Sequence, residues 1–158
     1  MNHFTAADLA PQPLETATAL AARFYSGEGT SAIDQTAVFN RHWQYVCHAS
    51  QIAAEGDYTV AVLGQLPIIV IRTADGIRGF HNVCRHRAGP LAQCAGKGAK
   101  QLRCRYHGWT YNLDGTLRTA TEMKDVADFD VADIRLPALN IREFEGLVFA
   151  ASENPPPF

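Results

Sequence analysis

The pattern of apolar and polar positions changes character near residue 43. Before it, apolar side chains are scattered among Ala, Thr and Pro without alternation. Residues 14–24 are Ala-rich and compatible with a helix. A second helix is predicted to start at Thr30 or Ser31, either of which would cap it, and to run to about Arg41. It would offer Ile33 and Phe39, with Trp43 just beyond, to a core. Residues 1–13 carry Pro11 and Pro13 and little pattern, so loose packing is expected there. After residue 43, strand signals dominate. Residues 43–48, 58–63, 68–73 and 77–81 are rich in β-branched and aromatic types, with a turn at Asp75 and Gly76. Residues 109–113 and 116–118 flank Asp114 and Gly115, and residues 141–144 and 147–150 flank Glu145 and Gly146; both read as hairpins. The pattern predicts a mostly β, antiparallel domain with short amino-terminal helices. Residues 1–40 form a tail and helices, 41–150 the main domain, and 151–158, with Pro155, Pro156 and Pro157, a linker-like segment.

Composition changes this picture little. Hydrophobic residues at 47% and charged residues at 19% suit a packed core. No apolar run approaches the roughly 20 residues of a spanning helix, and the start lacks a basic segment followed by a long apolar one. No membrane contact and a cytoplasmic location are the expectation. The net charge of −2 implies no attraction to nucleic acid. Its distribution is uneven. Residues 76–113 hold no acidic side chain but contain Arg78, Arg85, Arg87, Lys97, Lys100, Arg103 and Arg105. Glu122, Asp125, Asp128, Asp130 and Asp133 follow.

The chemistry lies in two pairs, Cys84 with His86 and Cys104 with His107. Each pair mixes a thiolate with an imidazole. A Rieske-type [2Fe–2S] centre needs this set, since two Cys hold one iron and two His the other. Structural zinc also accepts two Cys and two His, but its usual spacings pair Cys with Cys and His with His. The remaining candidates are weaker. Cys47 reads as a small hydrophobe on a half-buried strand, and Cys94 as an exposed thiol between the pairs. His3, His42, His48 and His81 read as surface or locally bonded residues. The stretch from Leu91 to Gly98 half-resembles a phosphate loop but lacks its first Gly and its Ser or Thr, so it is expected to be a flexible connector.

The flanks sharpen the reading. Asn82 and Val83 precede the first pair, with Gly89, Pro90 and Leu91 after it; Gly108 and Trp109 follow the second. With Phe39, Trp43 and Asp57 upstream, this resembles the amino-terminal Rieske domain of ring-hydroxylating (Rieske non-heme iron) oxygenase α subunits. The resemblance covers about residues 20–150. It implies an antiparallel-sheet fold with two cluster-binding loops. It also implies a [2Fe–2S] cluster on Cys84, His86, Cys104 and His107, with no catalytic residue in this chain. The oxygen-activating mononuclear Fe(II) would lie in a catalytic domain outside these residues, which hold no Asp/Glu-x-x-His-x4–5-His run. The implied partners are a reductase or ferredoxin donor and the catalytic domain of the same or a neighbouring subunit, in an oligomer, a trimer at full length. The first loop is similar to those of oxygenases acting on quaternary amines as well as on aromatics. A free-standing Rieske ferredoxin is the alternative; the amino-terminal segment speaks against it. A respiratory Rieske subunit would have Cys where Gly89 and Tyr106 stand. The resemblance further suggests Gly89 and Gly108 for tight turns, Pro90 for stiffness, and Trp109 as a shield or core residue. Arg105 replaces a frequent Pro. The basic residues would form a collar steering an acidic donor.

Overall fold

A computed structural model describes residues 5–26, 28–124, 126–152 and 154–158; His3 and Asp125 lie outside them. Two antiparallel sheets carry the fold. The larger has six strands in the order β1 (Gln44–His48), β9 (Leu147–Ala151), β8 (Ala138–Phe144), β4 (Gly76–His81), β3 (Leu66–Thr73) and β2 (Tyr58–Leu63). The smaller has β5 (Leu102–Arg103), β6 (Thr110–Tyr111) and β7 (Leu117–Thr119) in chain order. It is built from chain inserted between β4 and β8.

β3 explains how the two sheets become one body. Ile68, Ile69, Val70 and Ile71 are all 0% exposed. Successive strand side chains point to opposite faces. Ile68 and Val70 therefore pack with Leu63, Cys47, Val148 and Ala150, whereas Ile69 and Ile71 pack with Leu102, Trp109, Tyr111, Leu117 and Leu136. The second core also contains Cys84 and Cys104. The strands expected from sequence all form, with ends shifted by a few residues. The Glu145–Gly146 turn has φ of 47° and 80°, the two positive values that a two-residue hairpin of this twist requires.

The amino-terminal part departs from expectation. Residues 14–22 are not helical; α1 is Arg23–Ser26 and α2 is Glu28–Asp34, continued by a wider π turn over Gln35–Phe39. Thr30 lies inside α2, where its hydroxyl donates to the Arg23 carbonyl at 2.9 Å instead of capping. Ile33 and Phe39 are 39% and 41% exposed, so neither joins the core. The reason is packing: an isolated short helix is marginal, and residues 14–22 bury no apolar face. Alanine propensity alone does not replace that burial. Trp43 turns instead to the far end of the chain. Its indole N–H donates to the Pro156 carbonyl at 2.9 Å, and its ring meets Phe158 edge-on. The segment 154–158, read as linker-like, thus packs back on the sheet. Among the described residues no helix is long and apolar enough to cross a membrane.

Candidate metal centre

The two loops carrying the Cys and His pairs share one backbone frame. In the first, the Cys84 N–H donates to Gly89 O at 2.8 Å and the Ala88 N–H to Cys84 O at 3.0 Å. In the second, the Cys104 N–H donates to Trp109 O at 2.9 Å and the Gly108 N–H to Cys104 O at 3.0 Å. The frame needs a left-handed residue four positions after each Cys. Gly108 meets this with φ of 77°; in the first loop the position is Ala88, at 56°. The conformational burden expected at Gly89 therefore falls on Ala88, a residue type that rarely adopts it. Gly89 serves by its size instead. A Cβ there would lie 3.3 Å from Cys104 Sγ and 3.5 Å from Tyr106 Cβ, so its absence lets the loops close on each other.

Asn82, buried at the root of the first loop, ties its far end. Its side-chain oxygen accepts from the Leu91 and Ala92 N–H groups, each at 3.0 Å, and its amide donates to Ala92 O at 2.7 Å. The connector between the loops is held as firmly, which corrects its reading as a flexible segment. Gly96 pairs with Tyr58 through two backbone hydrogen bonds of 2.9 and 3.0 Å. A Cβ on Gly96 would sit 2.5 Å from the Tyr58 ring. Lys97 Nζ pairs with the buried Asp57 at 3.0 Å and donates to Gln51 O at 2.6 Å. Hydrogen bonds from Ala54 and then Lys97 hold the Asp57 carboxyl below the usual carboxylate range. Lys97 therefore leaves the proposed collar, and Arg78 is paired with Asp75 at 3.4 Å. Arg85, Arg87, Lys100, Arg103 and Arg105 remain exposed near the loops.

The fold sorts the donors by type. Cys84 and Cys104 are both buried, 3% exposed each, unbonded to one another, and close enough that Cys104 acts on the Cys84 thiol. Burial pushes the Cys84 thiol up, and the neighbouring Cys104 adds to this; Tyr111 and the His86 N–H oppose it. The rings of His86 and His107 lie 4.7 Å apart between centroids. Burial, and then the His107 and Arg87 charges, hold the His86 ring below the usual imidazole range. The sequence alternates thiol and imidazole, yet the structure puts thiol beside thiol and imidazole beside imidazole. This fits a [2Fe–2S] unit with one pair on each iron. Buried His86 Nδ1 has no hydrogen-bond partner, as a nitrogen reserved for a metal would not. Among the described residues no group of three or more His, Cys, Asp and Glu gathers to hold a single ion.

Two further residues lie beside the donors. Tyr111 is 0% exposed, with its hydroxyl 3.3 Å from Cys84 Sγ and 2.9 Å from the Arg85 N–H. It lies in a predicted strand, and nothing in local spacing links it to a thiol 27 positions earlier. Trp109, expected as a shield or a core residue, is packed in the core, 3% exposed, and stacks on His86 at 4.8 Å and 12°. Of the other described histidines, His81 lines the same surface cleft as Cys84 and His86. His48 caps the turn Ala49–Ile52, and His42 is exposed. Cys47 is buried on β1 and Cys94 is exposed, as expected.

Comparison with known proteins agrees with this geometry. The family profile described as the Rieske [2Fe-2S] domain matches residues 42–130. The glycine betaine monooxygenase oxygenase subunit of Pseudomonas aeruginosa is 38% identical over 136 residues, covering 84% of this chain and 31% of the relative. The carnitine monooxygenase oxygenase subunit of Escherichia coli is 34% identical, covering 85% and 36%. Among solved structures, a quaternary ammonium Rieske monooxygenase in complex with L-carnitine superimposes with a TM-score of 0.77 at 34% identity, over 83% of this chain and 38% of that one. Naphthalene 1,2-dioxygenase does so with 0.73 at 33%, over 80% and 30%. The chain spans about a third of the length of the curated relatives it matches. With two thiols and two imidazoles sorted into facing pairs on twin loops, and with more than half its length matched, this chain belongs to the Rieske [2Fe–2S] domain family.

Proposed function

We propose that this chain is the electron-transfer domain of a Rieske non-heme iron oxygenase, with residues 41–150 as the cluster-bearing unit. Cys84 and Cys104 would hold one iron, and His86 and His107 the other. The bound cluster supplies one-electron transfer. Every other role belongs to the chain. Asn82, Gly89 and Gly108 keep the two loops in contact. Tyr111 and the His86 N–H hydrogen-bond Cys84, and Trp109 keeps water from one flank. The imidazole side faces outward beside Arg85, Arg87 and Arg105, so electrons enter and leave there. The entering electron comes from a reductase or ferredoxin. The receiving site would be a mononuclear Fe(II) in a catalytic domain, of the same or a neighbouring subunit, in a trimer. A related solved monooxygenase is described with inter-subunit electron transfer. Quaternary ammonium compounds are the substrate class we favour, because the first curated relatives act on glycine betaine and carnitine. The free, exposed Cys94 suits a reducing cytoplasm.

The observation that carries this reading is the sorting of donors: two thiols on one side, two imidazoles on the other. Replacing Cys84, His86, Cys104 or His107 by Ala is expected to abolish the native cluster, and Cys47→Ala and Cys94→Ala to leave it. The check is electron paramagnetic resonance of the reduced protein together with iron and acid-labile sulfide content. Stoichiometric zinc without labile sulfide would overturn the assignment.

A further inference from the structure

We propose that Tyr106 and Trp109 are positioning residues that set the ring planes of the two imidazoles, one from each end. The inference rests on the ligand reading above. Five rings form a continuous chain of stacked and edge contacts running from the second loop through the first to Phe129. Tyr106 lies against His107, with centroids 3.9 Å apart and planes at 28°. His107 meets His86 at 74°. His86 lies nearly parallel to Trp109, at 12°. Trp109 in turn meets the Phe129 ring at 5.7 Å and 62°.

A metal bond through one nitrogen leaves an imidazole free to turn about that bond. Histidine ligands are commonly stopped from turning by a hydrogen bond from the second ring nitrogen to a carboxylate or carbonyl. Among the described residues, neither the His86 nor the His107 ring makes a hydrogen bond to protein. Flat contacts take that place. Trp109 covers one face of His86, and Tyr106 covers His107. The position of Tyr106 is itself constrained. Adjacent rings stack only in a tight turn, which the left-handed Gly108 permits, and the Tyr106 Cβ rests over the space left by Gly89. Tyr106 remains 64% exposed, so it contributes little to the core, and its ordered face-to-face contact calls for another explanation. The overlap of imidazole π orbitals with iron depends on ring orientation, so these contacts bear on the electronic structure of the centre and not only on its retention.

The test compares wild-type holoprotein with Tyr106→Ala, Tyr106→Phe and Trp109→Leu. Tyr106→Ala is expected to keep full iron and sulfide content. Its reduced electron paramagnetic resonance signal should broaden or shift, and a chelator should bleach it roughly 2- to 10-fold faster, the factor that one aromatic contact supplies. Tyr106→Phe, which keeps the ring, should match wild type on both measures. Trp109→Leu should shift the signal as well; should that buried substitution fail to fold, the exposed Tyr106 series decides alone. A Tyr106→Ala protein with wild-type signal and bleaching rate would overturn the proposal. So would a Tyr106→Phe protein that behaves like Tyr106→Ala, because the hydroxyl would then be responsible. A wild-type protein without a two-Cys, two-His signal would instead overturn the ligand reading beneath it.

Discussion

Tyr111 illustrates what a single residue does here. Its oxygen accepts a hydrogen bond from the Arg85 N–H at 2.9 Å and lies 3.3 Å from Cys84 Sγ, so its own proton is free to donate to that sulfur when Cys84 is a thiolate. Burial pushes the phenol far up, so that proton stays in place. A donor to a thiolate stabilises negative charge, and more so once the cluster has gained an electron. Tyr111→Phe is therefore expected to lower the reduction potential by roughly 20–60 mV, the one-electron equivalent of about 0.5–1.5 kcal/mol. A redox titration that returns the wild-type potential would refute this. Cys84, His86, Cys104 and His107, the proposed ligands, stand out by their spacing because metal ligation constrains short-range sequence. Tyr111 was not, since its partner lies in another loop. Ala88 escaped for a different reason: composition points to the neighbouring Gly89 as the left-handed residue, and only the shared hydrogen-bond frame moves that demand one position back.

At the level of elements, the connector between the ligand loops behaves as a pinned strap. Gly98 donates its N–H to Asp57 Oδ1 at 3.1 Å, and Ala99 donates to Gly56 O at 2.9 Å. Asp57 has a depressed carboxyl pKa in the folded protein. The stabilisation it provides is thus fully present above the ordinary carboxylate pKa near 3.9 and is lost as pH falls through the lowered value. Hydrogen-exchange protection of the Gly98 and Ala99 amides is expected to persist down to about pH 4 and to fall below it. Asp57→Ala should lose that protection at neutral pH. Protection that survives in the variant would show that the backbone pairs suffice without the ion pair. Sequence composition, rich in Gly and Ala, pointed to flexibility here. What it omitted is that Gly permits close approach to another element as readily as it permits disorder. Residues 14–24 make the converse point. Over residues 14–22 their helix-forming composition finds no surface to bury against, and only the last two residues, in α1, are helical.

For the whole molecule, the charge asymmetry should appear in kinetics. Arg103→Glu and Arg105→Glu are expected to slow reduction by a cognate donor several-fold at low salt and far less at high salt, because exposed charges act mainly on the encounter rate. Lys97→Glu belongs to a different class: it breaks an internal ion pair and should loosen the connector without that salt dependence. Stopped-flow reduction across ionic strength separates the two. Equal rates for the wild type and the arginine variants at low salt would eliminate the collar. By itself the sequence determined the alternation of strands, the presence of twin Cys–His pairs and hence the type of redox centre, because strand period and ligand spacing are local properties of the chain. Tertiary structure alone decided that β3 joins two cores, that like donors face each other, that Tyr111 reaches Cys84, and that Lys97 is spent on Asp57. Each of these depends on which distant segments share a face, and side-chain charge and hydrogen-bonding capacity are neutral between the many partners a chain of this length could offer them.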